Sequence, residues 1–480
     1  MPTVAGASPT IIPLSQMEQQ TIRQHKIDLQ KAIQKLDVDI DKLLRQKLNL
    51  FNRIKECDIS LAPHKRLPLE ILRAIFLLCG SEPTVIQVPL EEKEVLAISR
   101  VCSAWRQLAL DTPTLWNNIK FTSFSARSMA VAKEWLSRAK NLPVSFTVNV
   151  PDTYYDKSVG KACHTVIEKL IGNYPCRGLN ITLRYWENKL TVPLGNESLA
   201  TLESLSLNLT DYRNLFSEVE LPKLKSLTLS KNLVLKNIRS AIPWAQLQYL
   251  HLEQAVPATQ CLDLLRQCLQ LEECEANIGS GSSSAQDLII EDIVLPAMRK
   301  LKLVFHDKTN ASTFVQSLVT PNLTSLSLVK TPEAHSDLDV DLSTILQLVA
   351  RSNSTPLLQT LIIGKTTDSI NLGDILSNIP TLRELSIVHG PIDADSMNKI
   401  SMGVLGPHLE VLSSGQKHDA EDIIQMVESR QQLAADSKIK SFSSVRINCV
   451  AANASSLPAL GDRLRRLRHS GVDVILQMKV

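Results

Sequence analysis

The chain carries two hydrophobic patterns of different period, one near its N-terminus and one over its C-terminal two thirds. From Ile22 to Ile54 apolar residues recur at heptad spacing. After about residue 140 leucines recur with the spacing L-x-x-L-x-x-L-x-L. The first period is typical of a coiled-coil helix and the second of leucine-rich repeats. The two patterns predict one long helix followed by a repeat array.

The heptad pattern predicts a coiled-coil helix over residues 17–58. Lys26 and Lys47 interrupt one of its two apolar positions, which weakens the seam and can fix its register. The pattern leaves three partners open: the remainder of the same chain, a second copy in a homodimer, or a helix of another protein. The seam consists of Ile22, Leu29, Leu36, Leu43 and Leu50 at one position, with Ile33, Ile40 and Ile54 four residues after three of them.

Residues 61–120 hold three apolar clusters and predict three small helices around one core. The first helix opens at Leu67-Pro68, because proline is tolerated in a first helical turn, and stops at Gly80. A loop is predicted over 81–90, a helix over 91–110, and a third short helix after Thr112-Pro113. A segment of this size buries too little surface to be securely stable alone. It is therefore predicted to be a docking module.

Three motifs in this segment together resemble the F-box, namely Leu-Pro-x-Glu-Ile from Leu67, Val-Cys-x-x-Trp-Arg from Val101 and Thr-Pro-x-Leu-Trp from Thr112. The resemblance implies binding to the Skp-type adaptor of a cullin ubiquitin ligase. The residues that it implies for the adaptor contact are Leu67, Pro68, Ile71 and Ile75, with Leu96 or Ile98. Those that it implies for the F-box core, or for joining it to the repeats, are Val101, Cys102, Trp105, Leu115 and Trp116.

The leucine pattern predicts an α/β solenoid over residues 125–480, an irregular leucine-rich-repeat array in which strands and helices alternate. The cleanest copy is Leu221, Leu224, Leu227 and Leu229 with Asn232. Successive copies lie 22 to 35 residues apart, against about 20 to 29 in regular repeats. A helix at 457–467 and a strand at 472–476 are predicted to form a hairpin-like cap over the last repeat. Two earlier strands, 144–150 and 179–183, are predicted to flank a helix at 159–171.

Side chains alternate across a strand, so the residue between each inner apolar pair should point away from the core. This rule gives a row of mixed chemistry with no patch of a single sign. A merely solvated sheet is the alternative to a target-binding face. The candidate target-binding residues in this row are His251, Glu275, Lys302 and Arg446.

The composition of the chain indicates its cellular compartment, limits the kinds of partner and predicts the state of its cysteines. The 480 residues carry a formal net charge of +3, with 52 basic and 49 acidic residues interspersed, which proposes neither nucleic acid nor membrane as a partner. No run approaches the roughly 18 apolar residues of a membrane span. Residues 1–16 are predicted to be a disordered tail without a signal peptide, which favours cytoplasm or nucleus. The nine cysteines lack paired spacings and are predicted to be free thiols.

No catalytic constellation, cofactor motif or metal-ligand spacing emerges, so neither catalytic residues nor cofactors are predicted. The sequence favours a non-enzymatic substrate receptor that holds an unidentified target protein close to a ubiquitin ligase, which raises the effective concentration of the target. One alternative is an F-box and coiled-coil scaffold acting outside a ligase. A second is a hydrolase or transferase within the repeats, which requires a pocket of convergent polar groups.

Overall fold

The computed structural model divides into two compact units, residues up to Leu78 and residues from Cys79 onward. The structure describes residues 15–63, 67–80, 82–86, 94–150, 169, 172–183, 196–209, 220–230, 242–279, 292–306, 309–332, 334–351, 357–436, 439–450 and 457–478.

The first unit contains two helices. Helix α1, Gln16–Leu61, confirms the long N-terminal helix and has no buried residue. It begins with a capping box, in which the Ser15 hydroxyl accepts from the Glu18 N–H at 3.3 Å and the Glu18 carboxylate accepts from the Ser15 N–H at 2.9 Å. Helix α2, Leu69–Cys79, begins just after Pro68, whose carbonyl accepts from the N–H of Ile71.

The second unit has two helices where the sequence predicted one over 91–110. These are α3, Glu94–Val101, and α4, Ser103–Leu110. Cys102 separates them because its backbone is extended (φ −157°, ψ 172°), and its Sγ accepts from the Trp105 N–H at 3.4 Å as a new N-cap. The predicted third helix is a single 3-10 turn, Pro113–Leu115.

A 15-stranded parallel sheet forms the rest of the second unit, and its strand order follows the chain. Two further short strands, β9 and β11, pair with each other in a separate sheet. The strands are β1 Thr84–Ile86, β2 Asn118–Phe121, β3 Val144–Val150, β4 Cys176–Leu183, β5 Ser204–Leu209, β6 Ser226–Ser230, β7 Tyr249–Pro257, β8 Glu273–Gly279, β9 Ile293–Val294, β10 Lys300–Phe305, β11 Leu318–Val319, β12 Ser325–Lys330, β13 Thr360–Ile363, β14 Glu384–Ile387, β15 Val411–Asp419, β16 Ser444–Val450 and β17 Asp473–Met478.

Helices lie between many of these strands, as parallel neighbours require a crossover. Several begin at a polar N-cap that the sequence supplies. Asn310, Asp341 and Asp393, for example, each accept a hydrogen bond from an N–H three residues on. The helices are α5 Ala126–Arg138, α6 Asn196–Leu199, α7 Ala258–Leu265, α8 Ala311–Gln316, α9 Leu342–Ala350, α10 Leu372–Asn378, α11 Ala394–Ser401, α12 Ala420–Asp436 and α13 Leu457–His469. No helix in the described ranges is long and apolar enough to cross a membrane.

The core lies under the inner leucine pairs of the strands. Leu301 and Leu303 of β10 are buried and stand in register with Leu326 and Leu328 of β12. The coarse prediction of alternating strands and helices with a parallel sheet is therefore confirmed. One predicted pair, Leu409 with Leu412, is shifted in the structure: Leu412 and Ser414 occupy the inner positions, and the Ser414 hydroxyl donates to Gly390 O at 2.7 Å. Leu409 is buried in the turn before the strand.

The sheet starts earlier than residue 125. Its first strand, β1, lies in the segment predicted to be a loop, and β2 lies inside the segment predicted to be the F-box. Thr84 and Ile86 of β1 are buried on either side of Val85, and Ile119 and Phe121 of β2 are buried in the same alternation. Three residues bounded by prolines are too short for this alternation to be recognised from sequence. The predicted helix at 159–171 and Asn232 lie outside the described residues, apart from Lys169.

The C-terminal end contains the predicted helix and strand, α13 at Leu457–His469 and β17 at Asp473–Met478. Strand β17 pairs in parallel with β16, so the sheet continues by one more crossover through α13.

One arginine holds the turns near this end. Arg430 of α12 is fully buried, and its guanidinium donates to the carbonyl oxygens of Ile400 (2.8 Å), Gly406 (2.7 Å), Leu409 (3.2 Å) and Lys440 (3.0 Å). The group also lies over the Phe442 ring, 4.7 Å from its centroid. Burial lowers the pKa of Arg430 to about 10, which leaves the group charged at neutral pH. Four segments of backbone are therefore joined by one side chain.

Candidate functional site

Helix α2 has two buried large apolar residues, and its other large apolar residues are exposed. Leu72 and Phe76, four residues apart, are buried. Ile71, Ile75 and Leu78 follow the i, i+4, i+7 spacing of one helical stripe and are 49%, 38% and 77% exposed. A contiguous stripe of exposed large apolar residues is typical of a protein-binding surface. We call Ile71, Ile75 and Leu78 the α2 stripe.

The predicted adaptor residues divide between surface and interior. Leu67 and Pro68, which precede α2, are exposed, as are Ile71 and Ile75. Leu96 of α3 is half-buried, and Ile98 is buried. Ile98, which was expected to face the adaptor, is therefore not at the surface. Ile98 is buried because α3 is amphipathic, and Ile98 lies on the same inner side as the buried residue Val95, three residues before it.

Trp116 anchors the segment that follows α4. Its side chain is almost fully buried, and its Nε1–H donates to Ala109 O at 2.8 Å. Its ring lies 4.6 Å from the ring of Trp135 in α5, centroid to centroid, and the Arg138 guanidinium lies 4.7 Å from its centroid. Trp116 thus joins α4 to α5.

The other predicted core residues vary in burial. Leu115 is buried, whereas Cys102 and Trp105 are half-buried. Val101 differs from the prediction, because it is the last residue of α3 and is 54% exposed. The break at Cys102 ends the helical repeat that placed Val101 on the same side as later residues. Leu108 and the small residue Ala109 are buried in α4 instead.

Three of the four candidate sheet residues lie on adjacent strands. His251 of β7 is in register with Glu275 of β8, and Glu275 is in register with Lys302 of β10. The His251 Nε2 atom is 3.8 Å from the Glu275 Oε1 atom, which also accepts a hydrogen bond from the Lys302 ammonium. All three side chains are at least one-third exposed, so their mutual attraction contributes little to stability. The charges of Glu275 and Lys302 remain accessible to a partner.

Arg446 lies on the same row but far from this cluster. Ser327, Ile362, Ser386 and Ser413 occupy the row on the four strands between Lys302 and Arg446. With about 4.8 Å between neighbouring strands, Arg446 is roughly 24 Å from Lys302 along the sheet. A ligand that contacts both must therefore be a macromolecule or an extended peptide.

A second outward row, not predicted from the sequence, enlarges the charged cluster. Tyr249, Glu273 and Lys300 are in register with one another two residues before His251, Glu275 and Lys302 on the same strands. The Lys300 Nζ atom is 2.7 Å from Glu273 Oε1, and this hydrogen bond raises the pKa of Lys300. The period-two alternation of strands would have indicated these residues. We call the six residues of the two rows the charged ladder: Tyr249, His251, Glu273, Glu275, Lys300 and Lys302.

The buried cysteines have the chemistry of core residues. Burial raises the pKa of Cys261 and of Cys268 to about 12, so both thiols stay protonated and unreactive at neutral pH. Within the ranges that the structure describes, no group of three or more His, Cys, Asp or Glu residues is arranged to hold a metal ion.

Comparison with known families identifies one match. Residues 64–122 match the family model F-box-like, a span that includes α2, α3, α4 and the Trp116 anchor and ends just after β2. No curated protein matches the chain significantly. The chain therefore carries an F-box-like domain over residues 64–122, and a domain of this kind suggests binding to a Skp-type adaptor.

Proposed function

We propose that this protein is the substrate-receptor subunit of a Skp–cullin–F-box type ubiquitin ligase. In this proposal the F-box-like domain binds the adaptor, and the exposed face of the parallel sheet binds a target protein. The observation that carries the proposal is the match over residues 64–122 together with the exposed α2 stripe within it. Catalysis would belong to other subunits, and the receptor would act by proximity.

The α2 stripe supports an adaptor contact for an energetic reason. Burying a large aliphatic side chain gains about 1.5–3 kcal/mol relative to leaving it exposed. Ile71 and Ile75 are both available for such burial, and Leu67 with Pro68 extends the surface at the start of the helix. A partner that covers them gains affinity without rearranging the buried side of α2.

The test is co-purification of a Skp-type adaptor with the full chain. We expect the double variant Ile71→Asp/Ile75→Asp to reduce adaptor recovery at least tenfold, because two carboxylates would have to be desolvated in an apolar interface. Leu67→Ala/Pro68→Ala should also lose the adaptor. The matched control is Arg73→Ala, an exposed residue on the opposite side of α2. Unchanged recovery with the Asp variant would reject the adaptor contact.

The same experiment separates a ligase from a scaffold. The scaffold alternative is favoured by the exposed apolar residues of α1, which offer an interaction unrelated to ubiquitin transfer. Cullin that co-purifies with the adaptor supports the substrate receptor. Adaptor without cullin supports an F-box scaffold outside a ligase.

The charged ladder is our proposal for the target contact. Proximity labelling with and without proteasome inhibition would identify proteins that are held by the chain and then degraded. We expect Glu275→Ala/Lys302→Ala to remove at least one such protein. The matched control is Asp395→Ala/Lys399→Ala, which deletes an ion pair of the same type on the exposed side of α11. Equal labelling by both variants would reject the ladder as the target-binding surface.

A further inference from the structure

Helix α1 exposes more apolar surface than a solitary helix can keep in water. It is 46 residues long, so it spans about 69 Å at 1.5 Å per residue. None of its residues is buried. Its exposed apolar residues include Ile33, Leu36, Ile40 and Leu43, which form one stripe along the helix. Helical stability normally comes from packing of such a stripe, so α1 requires a partner.

The type of residue at each heptad position indicates what that partner is. Isoleucine occupies position a at Ile33, Ile40 and Ile54, and leucine occupies position d at Leu29, Leu36, Leu43 and Leu50. β-branched residues at a with leucine at d favour two parallel strands over larger bundles. Position a also holds Lys26 and Lys47, and lysine at a specifies register and oligomer state at a cost in stability.

The flanking charges are complementary between two copies of the same helix. In a parallel coiled coil, position g of one strand faces position e of the next heptad on the other strand. This places Glu18 opposite Arg23 and Arg53 opposite Asp58, both attractive pairs near the two ends of the helix. The g–e pairs between them join at most one charged residue at neutral pH, so no like charges face each other there.

From these observations we propose that α1 binds a second copy of this chain as a parallel, in-register, two-stranded coiled coil. The dimer covers the stripe with an identical stripe and forms each of the two terminal ion pairs twice, once on each side of the symmetry axis. Cys57, an exposed free cysteine, occupies position d and lies beside its counterpart on the second copy. A fully overlapping antiparallel dimer would instead place Cys57 against Gln19. The proposal is independent of the adaptor contact.

The mass of the full chain in solution tests the self-association. Light scattering coupled to gel filtration should give twice the 53.2 kDa of one chain. We expect Leu36→Lys, which puts a charge at the centre of the seam, to weaken dimerisation at least tenfold. The matched control is Val38→Lys, because Val38 is equally exposed but lies at position f, away from the seam. A monomeric wild-type chain, or equal effects of the two variants, would overturn the proposal.

Oxidative cross-linking tests the orientation. A disulfide needs its two Cα atoms about 4.4–6.8 Å apart, which facing d positions of a parallel dimer can provide. Mild oxidation of wild-type chain should therefore give a covalent dimer on a non-reducing gel. Cys57→Ser should abolish it, whereas Cys79→Ser, which removes the other fully exposed thiol of the described residues, should leave it. A non-covalent dimer that gives no Cys57 link would overturn the parallel arrangement.

Discussion

Leucines of α1 and leucines of the sheet show how the same residue serves two kinds of structure. Leu36 of α1 is 60% exposed, whereas Leu303 of β10 is fully buried within its own chain. The heptad period places the leucines of α1 on one stripe of a single helix, where no layer of this unit covers them. The strand period, repeated on successive strands, places each inner leucine beside the next copy. The leucines of the sheet are buried by other residues of the second unit, whereas those of α1 remain exposed within the first unit.

The largest expected effect is a loss of stability on replacing a leucine of the sheet by alanine, compared with the same replacement in α1. Leu303→Ala should destabilise the second unit by about 4 kcal/mol, because it leaves a cavity in a close-packed core. Leu36→Ala should change the free energy of unfolding of that unit by less than about 0.5 kcal/mol, since Leu36 belongs to the other unit and its side chain is 60% exposed. Thermal denaturation followed by circular dichroism measures both. Similar losses in the two variants would contradict the distinction between the regions.

The second expected effect concerns the C-terminal part of the sheet. Arg430→Met should cost about 3 kcal/mol, because it leaves buried carbonyl oxygens of Ile400 and Gly406 without a donor. Arg466→Met on the exposed surface of α13 is the control and should be nearly neutral. Chemical denaturation compares the two. If Arg430→Met leaves the free energy of unfolding unchanged, packing alone stabilises these turns.

A smaller effect should appear where the sheet begins. Trp116→Phe keeps an aromatic ring against Trp135 but removes the hydrogen bond to Ala109 O. We expect a loss of about 1–1.5 kcal/mol, the usual net value of a buried hydrogen bond. The melting temperature of the full chain measures it. An unchanged value would mean that ring packing accounts for the whole anchor.

The smallest expected effect is pH-dependent. Asp393 caps α11, and hydrogen bonds from Asn371 and Ser396 lower the pKa of its carboxyl. A carboxyl with a lowered folded pKa stabilises the fold above its ordinary pKa and loses that contribution as the pH falls. Asp393→Ala should therefore cost about 1 kcal/mol near neutral pH and progressively less below about pH 4. A difference in melting temperature that stays constant down to about pH 3 would contradict this account.

Long periodic segments could be predicted from the sequence, and short irregular ones could not. The helix expected over 17–58 extends from Gln16 to Leu61, because many residues repeat one pattern. The leucine pairs located most strands of the sheet for the same reason. The three residues of β1 carry too little pattern. The break at Cys102 depends on a single extended residue with a thiol cap, which helix propensity does not reveal.

The candidate surfaces were predictable to different degrees. The alternation of side chains placed Glu275 beside Lys302 correctly, because strand register follows the leucines. The same alternation applied two residues earlier would have added Glu273 and Lys300. The exposure of Val101 could not be anticipated, since it depends on where α3 ends. The burial of Ile98 follows from its spacing of three residues from Val95, which the sequence shows.

The Arg430 hydrogen bonds have a mechanical consequence for the order in which the chain unravels under load. Each strand of the sheet pairs with its neighbours in chain order, so a force applied at the C-terminal end should detach strands one at a time from β17 inward. Arg430 spans the turns before β15 and β16 and ties α11 to them through one guanidinium. Peeling should therefore pause once β17 and α13 have detached. An unfoldase that pulls on the chain from its C-terminal end would meet its first mechanical resistance at the Arg430 hydrogen bonds.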